Sequence, residues 1–175
     1  SDNAISLLEV SLSWDHLYRD YAKTSIQAGL STNFKTREDL LDTESQKAKL
    51  SLDISHYQPF MATWFVSGRV QGAYSSDPFV DVEQFRIGGQ GSVRAFPASE
   101  LAGDKGGVIS LDVGKNFAVS KEVVMTAKLF ADVGRVYRND TFGLSGQLEA
   151  ESLAGYGAGL TTVFVHDHTL DIEVV

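Results

Sequence analysis

The feature that most constrains this chain is an alternation of apolar and polar side chains that recurs in segment after segment. Between Gln46 and Ser55, apolar residues stand at every second position, with polar residues between them. In an extended strand, this alternation places the apolar side chains on one face and the polar ones on the other. Similar segments begin near Thr24, Ala62, Ile109, Val123 and Leu170, and two at about 4–15 and 153–164 fit less regularly. We therefore predict eight strands and an all-β, antiparallel fold.

A soluble β-sandwich also alternates, so strand length and connection length have to be considered as well. The strands run for about 10–13 residues, whereas about 5–6 is usual and longer strands suit a tilted crossing of an apolar band of about 25 Å. The connections alternate in length: short at 16–22, 57–61, 118–121 and 165–167, and long at 35–45, 76–106 and 137–152. Outer-membrane barrels have short periplasmic turns and longer outer loops. The pattern favours a transmembrane β-barrel and leaves the sandwich open.

The alternation also assigns the polar face to the lumen of such a barrel. A cation on the lipid face near the bilayer midplane would cost about 2–4 kcal/mol. By this count both ends of the chain lie on the outer side, which predicts missing strands at both ends. An isolated piece would then associate through its open sheet edges or close on itself. The charged residues expected to face the lumen are Lys47, Asp53, Arg69, Asp112, Lys128 and Asp132.

Composition argues against several functions. The net charge of −8 and the absence of a dense Lys/Arg cluster make nucleic-acid binding a poor hypothesis. There is no cysteine, which excludes disulfides and thiolate metal sites. The run His166-Asp167-His168 has no identifiable third ligand and is interpreted as a polar turn. The stretch Gly143–Gly146 lacks the spacing of a nucleophile elbow. We predict no enzyme activity, no cofactor and no metal.

The glycine-rich stretch from Gly88 to Gly107 raises the question of nucleotide binding. A dinucleotide fingerprint needs a helix directly after the glycines, and Pro97 with its loop-like neighbours leaves no room for one. A P-loop needs Gly-Lys-Ser/Thr, which is absent. The connection 76–106 is nevertheless long and contains Val93, Phe96 and Leu101. Long loops with apolar content are often ordered and functional.

Two motifs then point to a family. "EQFRIGGQGSVRAF" followed by "GDKGG" resembles the signature of the two-partner secretion (TpsB) transporters, the haemolysin-activator (ShlB/FhaC/HecB-like) family of the BamA-type outer-membrane superfamily. "LFADVGRV" resembles the superfamily motif Phe-x-Asp-x-Gly, and "GYGAGL" is similar to the glycine-rich strand that follows it. The resemblance covers about residues 80–165, and the first 75 residues match by strand pattern alone.

The resemblance implies a sixteen-stranded barrel preceded by two POTRA domains, of which residues 1–175 would be about the last half, without the POTRA domains and the closing strand. It further implies that the loop at about 76–106 folds back into the lumen and that Arg94 meets Asp132 on the barrel wall. The motif residues carried over are Gly88, Gly89, Ser92, Val93, Arg94, Phe96, Gly103, Asp104 and Gly106 in the loop, with Phe130, Asp132 and Gly134 on the wall.

One residue departs from the family pattern. The family usually has Gly after the arginine, and this chain has Ala95. If that position required a positive φ, alanine would be strained by about 1–2 kcal/mol. Either the turn differs here or the chain is a divergent member.

The implied function is a pore in the bacterial outer membrane that secretes a large unfolded exoprotein of the haemolysin or adhesin type (TpsA), with outer-membrane lipid as its surroundings. A BamA/TamA-type insertase shares both motifs and stays open as an alternative, since only the number of upstream POTRA repeats would separate them. A soluble β-sandwich binding module is the alternative from another class.

Overall fold

A computed structural model describes residues 5–35, 48–75, 84–138, 149–164 and 168–174 of the chain. Eight long strands form one antiparallel sheet in chain order: β1 (Ile5–Leu17), β2 (Lys23–Lys35), β3 (Ala48–Phe60), β4 (Trp64–Ser75), β7 (Lys105–Ala118), β8 (Val123–Arg138), β9 (Glu149–Phe164) and β10 (His168–Val174). Two short strands, β5 (Phe85–Ile87) and β6 (Leu101–Gly103), follow β4 in the chain and pair with each other in a separate two-stranded sheet, while β4 pairs directly with β7. The prediction of an all-β, antiparallel fold with eight strands is confirmed, although β10 is shorter than predicted, with seven residues.

The predicted alternation separates the two faces of this sheet. One cross-strand row joins Ser25, Ser55, Arg69, Ser110 and Asp132 through directly opposed pairs, and we call the side to which it belongs the polar face. The neighbouring row consists of the apolar residues Ile26, Ile54, Val70, Ile109 and Val133, and its side is the apolar face.

Side-chain exposure differs from that of a globular core. Many large apolar side chains are exposed, among them Leu50, Val70, Leu111, Leu129 and Val133 on the apolar face. The one buried apolar cluster, within the described residues, lies on the opposite side, between the polar face and the β5–β6 segment. Among the described residues there is also no helix long and apolar enough to cross a membrane.

The predicted short turn at 57–61 lies further along the chain than expected. β3 continues through Pro59 to Phe60, and the turn consists of residues 61–63, where Met61 and Ala62 adopt positive φ angles of 48° and 61°. Proline is normally excluded from central strands because it lacks an N–H donor. Here β2 pairs with β3 only as far as Tyr57, so Pro59 lies beyond the end of its neighbour and needs no donor on that side.

The sheet order begins at β1 and ends at β10, and no ladder joins these two strands in the part of the chain that the structure describes. The sheet is therefore open at two edges rather than closed on itself. Association through those edges stays a prediction. Lys47, His166, Asp167 and Gly143–Gly146 lie outside the described residues.

Candidate functional site in the loop between β4 and β7

From residue 84 onward, the β4–β7 connection returns to the sheet and packs on the polar face. β5 and β6 form a short antiparallel hairpin, and residues 88–100 form its tip. The backbone N–H of Gly89 donates to the carbonyl oxygens of Val93, at 3.1 Å, and Phe96, at 2.9 Å. The N–H of Ser92 returns a bond of 3.0 Å to the Gly89 carbonyl, and the Ser92 hydroxyl accepts from the N–H of Gly88 at 3.3 Å. The tip is thus a compact, internally bonded turn.

Two glycines make this turn possible. Gly88 and Gly89 have φ angles of 109° and 89°, a region that side chains other than hydrogen rarely tolerate. A Cβ on Gly88 would stand 2.4 Å from the carbonyl oxygen of Pro97, and one on Gly89 would stand 2.9 Å from Cα of Ala98. Both glycines therefore serve the conformation of the tip rather than phosphate binding.

An apolar cluster seals the loop onto the wall. Ile87 and Val93 from the loop pack with Val108 of β7 and Val136 of β8, and all four are buried. Phe96 lies at the edge of the same cluster. The cluster is buried because the loop covers this part of the polar face, which would otherwise be wet.

Wall glycines create the space that the loop occupies. A Cβ on Gly134 would lie 3.0 Å from Cγ2 of Val93, and one on Gly155 would lie 2.4 Å from Cβ of Ala95. The absence of a side chain at these two positions leaves room for the loop. At Gly157 the space is filled instead by the Val174 carbonyl oxygen and the Phe130 ring, which would stand 2.4 and 2.6 Å from an added Cβ.

Arg94 projects from the tip onto the wall, where two carboxylates receive it. Its Nε and Nη2 donate to the two carboxylate oxygens of Asp132 at 2.9 and 2.7 Å, the paired arrangement that a planar guanidinium favours. Its backbone N–H donates to the same carboxylate at 3.0 Å. Its Nη1 donates to Asp112 at 2.6 Å. The guanidinium also stacks on Phe130, with Cζ 3.9 Å from the ring centre.

The arrangement is almost dry. The Arg94 side chain is 9% exposed, that of Asp132 is 0% exposed, and that of Asp112 is 19% exposed. Burial by itself lowers the pKa of Arg94, but the hydrogen bonds to Asp132 and Asp112 outweigh it and raise that pKa above its usual range. Arg94 is therefore a permanent cation. One guanidinium faces two carboxylates, so the cluster is held by charge-assisted hydrogen bonds on a desolvated wall.

The other motif residues anchor the base of the loop. The backbone N–H of Asp104 donates to the Tyr137 carbonyl at 2.9 Å, and Asp104 itself is buried. A Cβ on Gly103 would stand 2.7 Å from that same carbonyl oxygen, and one on Gly106 would stand 2.5 Å from the Arg135 carbonyl. These glycines allow the close approach of the loop base to β8.

Ala95 is not among the residues with positive φ in the described part of the chain. The strain considered for an alanine at this position therefore does not arise, and its methyl group packs directly over Gly155. The turn accepts alanine because the wall has a glycine opposite it.

The sequence predicted that Asp112 lies on the polar face, but it gave no sign that Asp112 pairs with Arg94. Its position next to Asp132 depends on the β7–β8 register, in which Ser110 faces Asp132 and Asp112 faces Phe130. The predicted turn at 118–121 differs from the real connection at 119–122 between the two strands. An error of this size changes which side chains are opposed, so the contact could not be derived.

The described ranges contain no group of three or more His, Asp or Glu residues arranged for a metal ion. A long-stranded antiparallel sheet with an exposed apolar face, whose polar face is partly covered by a returning loop, is the arrangement of a partial β-barrel. Residues 2–162 match the family of haemolysin secretion/activation proteins ShlB/FhaC/HecB, and the chain belongs to that family. No curated protein and no solved structure matches the chain.

Proposed function

We propose that residues 1–175 form part of a single barrel domain in the bacterial outer membrane, with the loop at about 76–106 in its lumen. In this proposal the pore secretes a large unfolded exoprotein of the haemolysin or adhesin type (TpsA) by two-partner secretion. The observation that supports it is the contact of Arg94 with Asp132 and Asp112 on the polar wall, in a chain of the haemolysin secretion/activation family. Transport through such a pore depends on conformation and needs neither nucleotide nor metal.

The described contacts suggest which part of the wall the exoprotein would follow. The loop covers the polar face of β7 and β8, while that of β1–β4 remains open. The open part forms a groove of about 450 Å³, and its polar lining consists of serine and glutamine side chains together with the charged residues Glu9, Lys49 and Asp53. Hydroxyl and amide groups both donate and accept hydrogen bonds, so they suit an extended polypeptide of any sequence. We place the exoprotein along this groove.

In this proposal the loop forms one side of the passage. A gap of about 150 Å³ separates its tip from Arg69, with Ser55, Ser67 and Ser110 on the sheet side. This gap is too small for a bulky segment, so a segment of the exoprotein could enter it only if the tip shifted. The hydrogen bonds of Arg94 to Asp132 and Asp112 hold the tip on the wall, and we propose that they limit its movement.

The test is the exchange of Arg94 for alanine in the gene that encodes this chain. We expect the barrel to reach the outer membrane, as judged by heat-modifiable migration and surface proteolysis, while the amount of exoprotein in the medium falls. Arg135→Ala is the matched control and should secrete normally, because Arg135 lies over the Tyr137 ring, 5.1 Å from its centre, and lines neither the groove nor the gap. Normal secretion by a correctly inserted Arg94→Ala protein would refute the role of the loop.

The same experiment separates secretion from the insertase alternative. If the chain secretes, the loss is confined to the exoprotein and the abundance of other outer-membrane barrels is unchanged. If it inserts barrels, those proteins decline together and the exoprotein declines only with them. Quantitative proteomics of the outer membrane and of the medium distinguishes the two outcomes.

A further inference from the structure

A shallow groove crosses the apolar face from β4 to β10, with a volume of about 440 Å³. Its sides are the large residues Trp64, Leu129, Leu160 and Val174. The floor between them consists of Ala127 and Ala158. The proposed path of the exoprotein does not include this groove, because the groove lies on the side of the sheet opposite the loop.

Cross-strand register explains why the groove exists. Ala127 faces Leu160, and in the next row Leu129 faces Ala158. Small and large side chains therefore exchange places between these two rows, which leaves a diagonal trough between the large apolar groups. A trough of this kind in an apolar surface fits a flexible hydrocarbon chain better than a flat protein surface.

A lysine stands at one end of the trough. Lys115 interrupts the apolar row of β7, where it lies opposite Trp64 on one side and Ala127 on the other. Its ammonium group is 5.3 Å from the Trp64 ring centre and 5.1 Å from that of Phe117. No carboxylate within the described residues pairs with it.

The placement of Lys115 along the strand is also informative. β7 ends at Ala118, so Lys115 lies near the end of the strand, close to the short β7–β8 connection. A lysine near the end of a spanning strand extends its ammonium toward the membrane–water interface, where aromatic rings also gather. At that level the groups of opposite charge in a bilayer are lipid phosphates.

We propose that this groove is a binding site for an anionic glycerophospholipid of the surrounding bilayer. One acyl chain lies along the trough over Ala127 and Ala158, and the phosphate meets the ammonium of Lys115 between the Trp64 and Phe117 rings. The ligand is selected by two features together: an apolar trough that accepts the chain and an unpaired cation that accepts the headgroup. The proposal rests on the proposed function, because it requires the apolar face to lie in a bilayer.

Trp64 provides the measurement, because it is part of the groove. In a Trp14→Phe background it is the only tryptophan of the chain, so its fluorescence reports the lipids that contact it. The protein is reconstituted in phosphatidylcholine vesicles that contain increasing fractions of phosphatidylglycerol brominated on its acyl chains. We expect brominated phosphatidylglycerol to quench Trp64 more strongly than brominated phosphatidylcholine does, with a preference of about fivefold, the size expected for one basic residue at a membrane surface.

Lys115→Gln should abolish that preference, and Lys115→Arg should restore it because the charge returns. Lys105→Gln is the matched control: Lys105 also lies on β7, its ammonium is 5.9 Å from the Tyr74 ring centre, and it does not line the groove. The preference should survive in this variant. Excess inorganic phosphate in the buffer should not compete, because the acyl chain contributes to binding.

Each other outcome has a distinct meaning. Equal quenching by the two lipids in the unmodified protein, or loss of the preference in Lys105→Gln as well, would overturn the lipid site while leaving the membrane location intact. Quenching that disappears as the protein concentration rises would show a second copy of the chain in the groove and would also overturn it. Absence of quenching by either brominated lipid would contradict the membrane location itself, and with it the proposed function.

Discussion

Two arginine–aspartate pairs on the same face of one sheet show how much the surroundings determine the role of an ion pair. Arg69 binds Asp53 through Nε at 3.0 Å and Nη2 at 2.5 Å, and Arg94 binds Asp132 through the same two groups. In the first pair the arginine side chain is 43% exposed and the aspartate 26%. In the second pair the arginine is 9% exposed and the aspartate 0%. The difference arises from the loop, which brings Arg94 with it and removes water from the wall that it covers.

The open pair adjusts charge on a wet wall, while the covered pair holds the loop against the sheet. An exposed ion pair contributes little because water screens it. A buried one whose partner is removed leaves an uncompensated charge, which is costly. The following predictions test this contrast, in order of decreasing effect.

Arg94→Ala should lower the free energy of unfolding by about 3–5 kcal/mol, because the buried Asp132 carboxylate loses its partner. Arg69→Ala should lower it by about 0–1 kcal/mol, because Asp53 remains hydrated. Urea titration of the protein in detergent micelles, followed by tryptophan fluorescence, measures both values. Equal losses in the two variants would remove the distinction between the covered and the open wall.

Gly155→Ala should destabilise the protein by about 1–3 kcal/mol, because the new methyl group would stand 2.4 Å from Cβ of Ala95. Combining it with Ala95→Gly should recover most of the loss, since the clash then has no partner. Gly68→Ala serves as the control, because a Cβ there meets nothing closer than the Ser110 carbonyl oxygen at 4.0 Å. Failure of the double variant to recover would mean that the loop does not rest on Gly155.

Asp112→Asn should cost about 1–2 kcal/mol, because Arg94 keeps Asp132 but loses one charge-assisted bond. We also expect faster hydrogen exchange at the backbone amides of Gly89 and Phe96, which donate hydrogen bonds to carbonyl groups within the tip. Asp53→Asn on the open wall should leave both exchange rates unchanged. If exchange at the tip is the same in both variants, Asp112 does not restrain the loop.

The smallest effect concerns the turn at 18–22, at one end of the open wall. The side-chain amide of Gln58 donates to Asp20 at 3.0 Å, and this bond, with a second from the Ala22 backbone, lowers the pKa of Asp20 below its usual range. A carboxyl whose pKa is depressed by folding stabilises the protein above its unfolded pKa, and this contribution disappears as pH falls through the folded value. Gln58→Leu should move the pKa of Asp20 upward in an NMR titration; an unchanged value would exclude Gln58 as the cause.

The sequence predicted the strands and the two faces because a period of two is visible in the residues themselves. Asp53, Arg69, Asp112 and Asp132 were all assigned correctly to the polar side on that basis. The contact between Arg94 and Asp132 came from family resemblance, since no local pattern shows where a long loop returns. The double binding of Arg94 and the fit of Ala95 over Gly155 depend on register and loop conformation, which small shifts in a turn alter completely.

The spacing of the Arg94 contacts along the chain has a consequence for assembly. Its partners Asp112 and Asp132 follow it by 18 and 38 residues. Contacts between near neighbours in sequence form early, because closing a short segment costs little chain entropy. Because Arg94, Asp112 and Asp132 all lie between Gln84 and Arg138, we expect their contacts to form as soon as β7 and β8 have paired, before the sheet is complete.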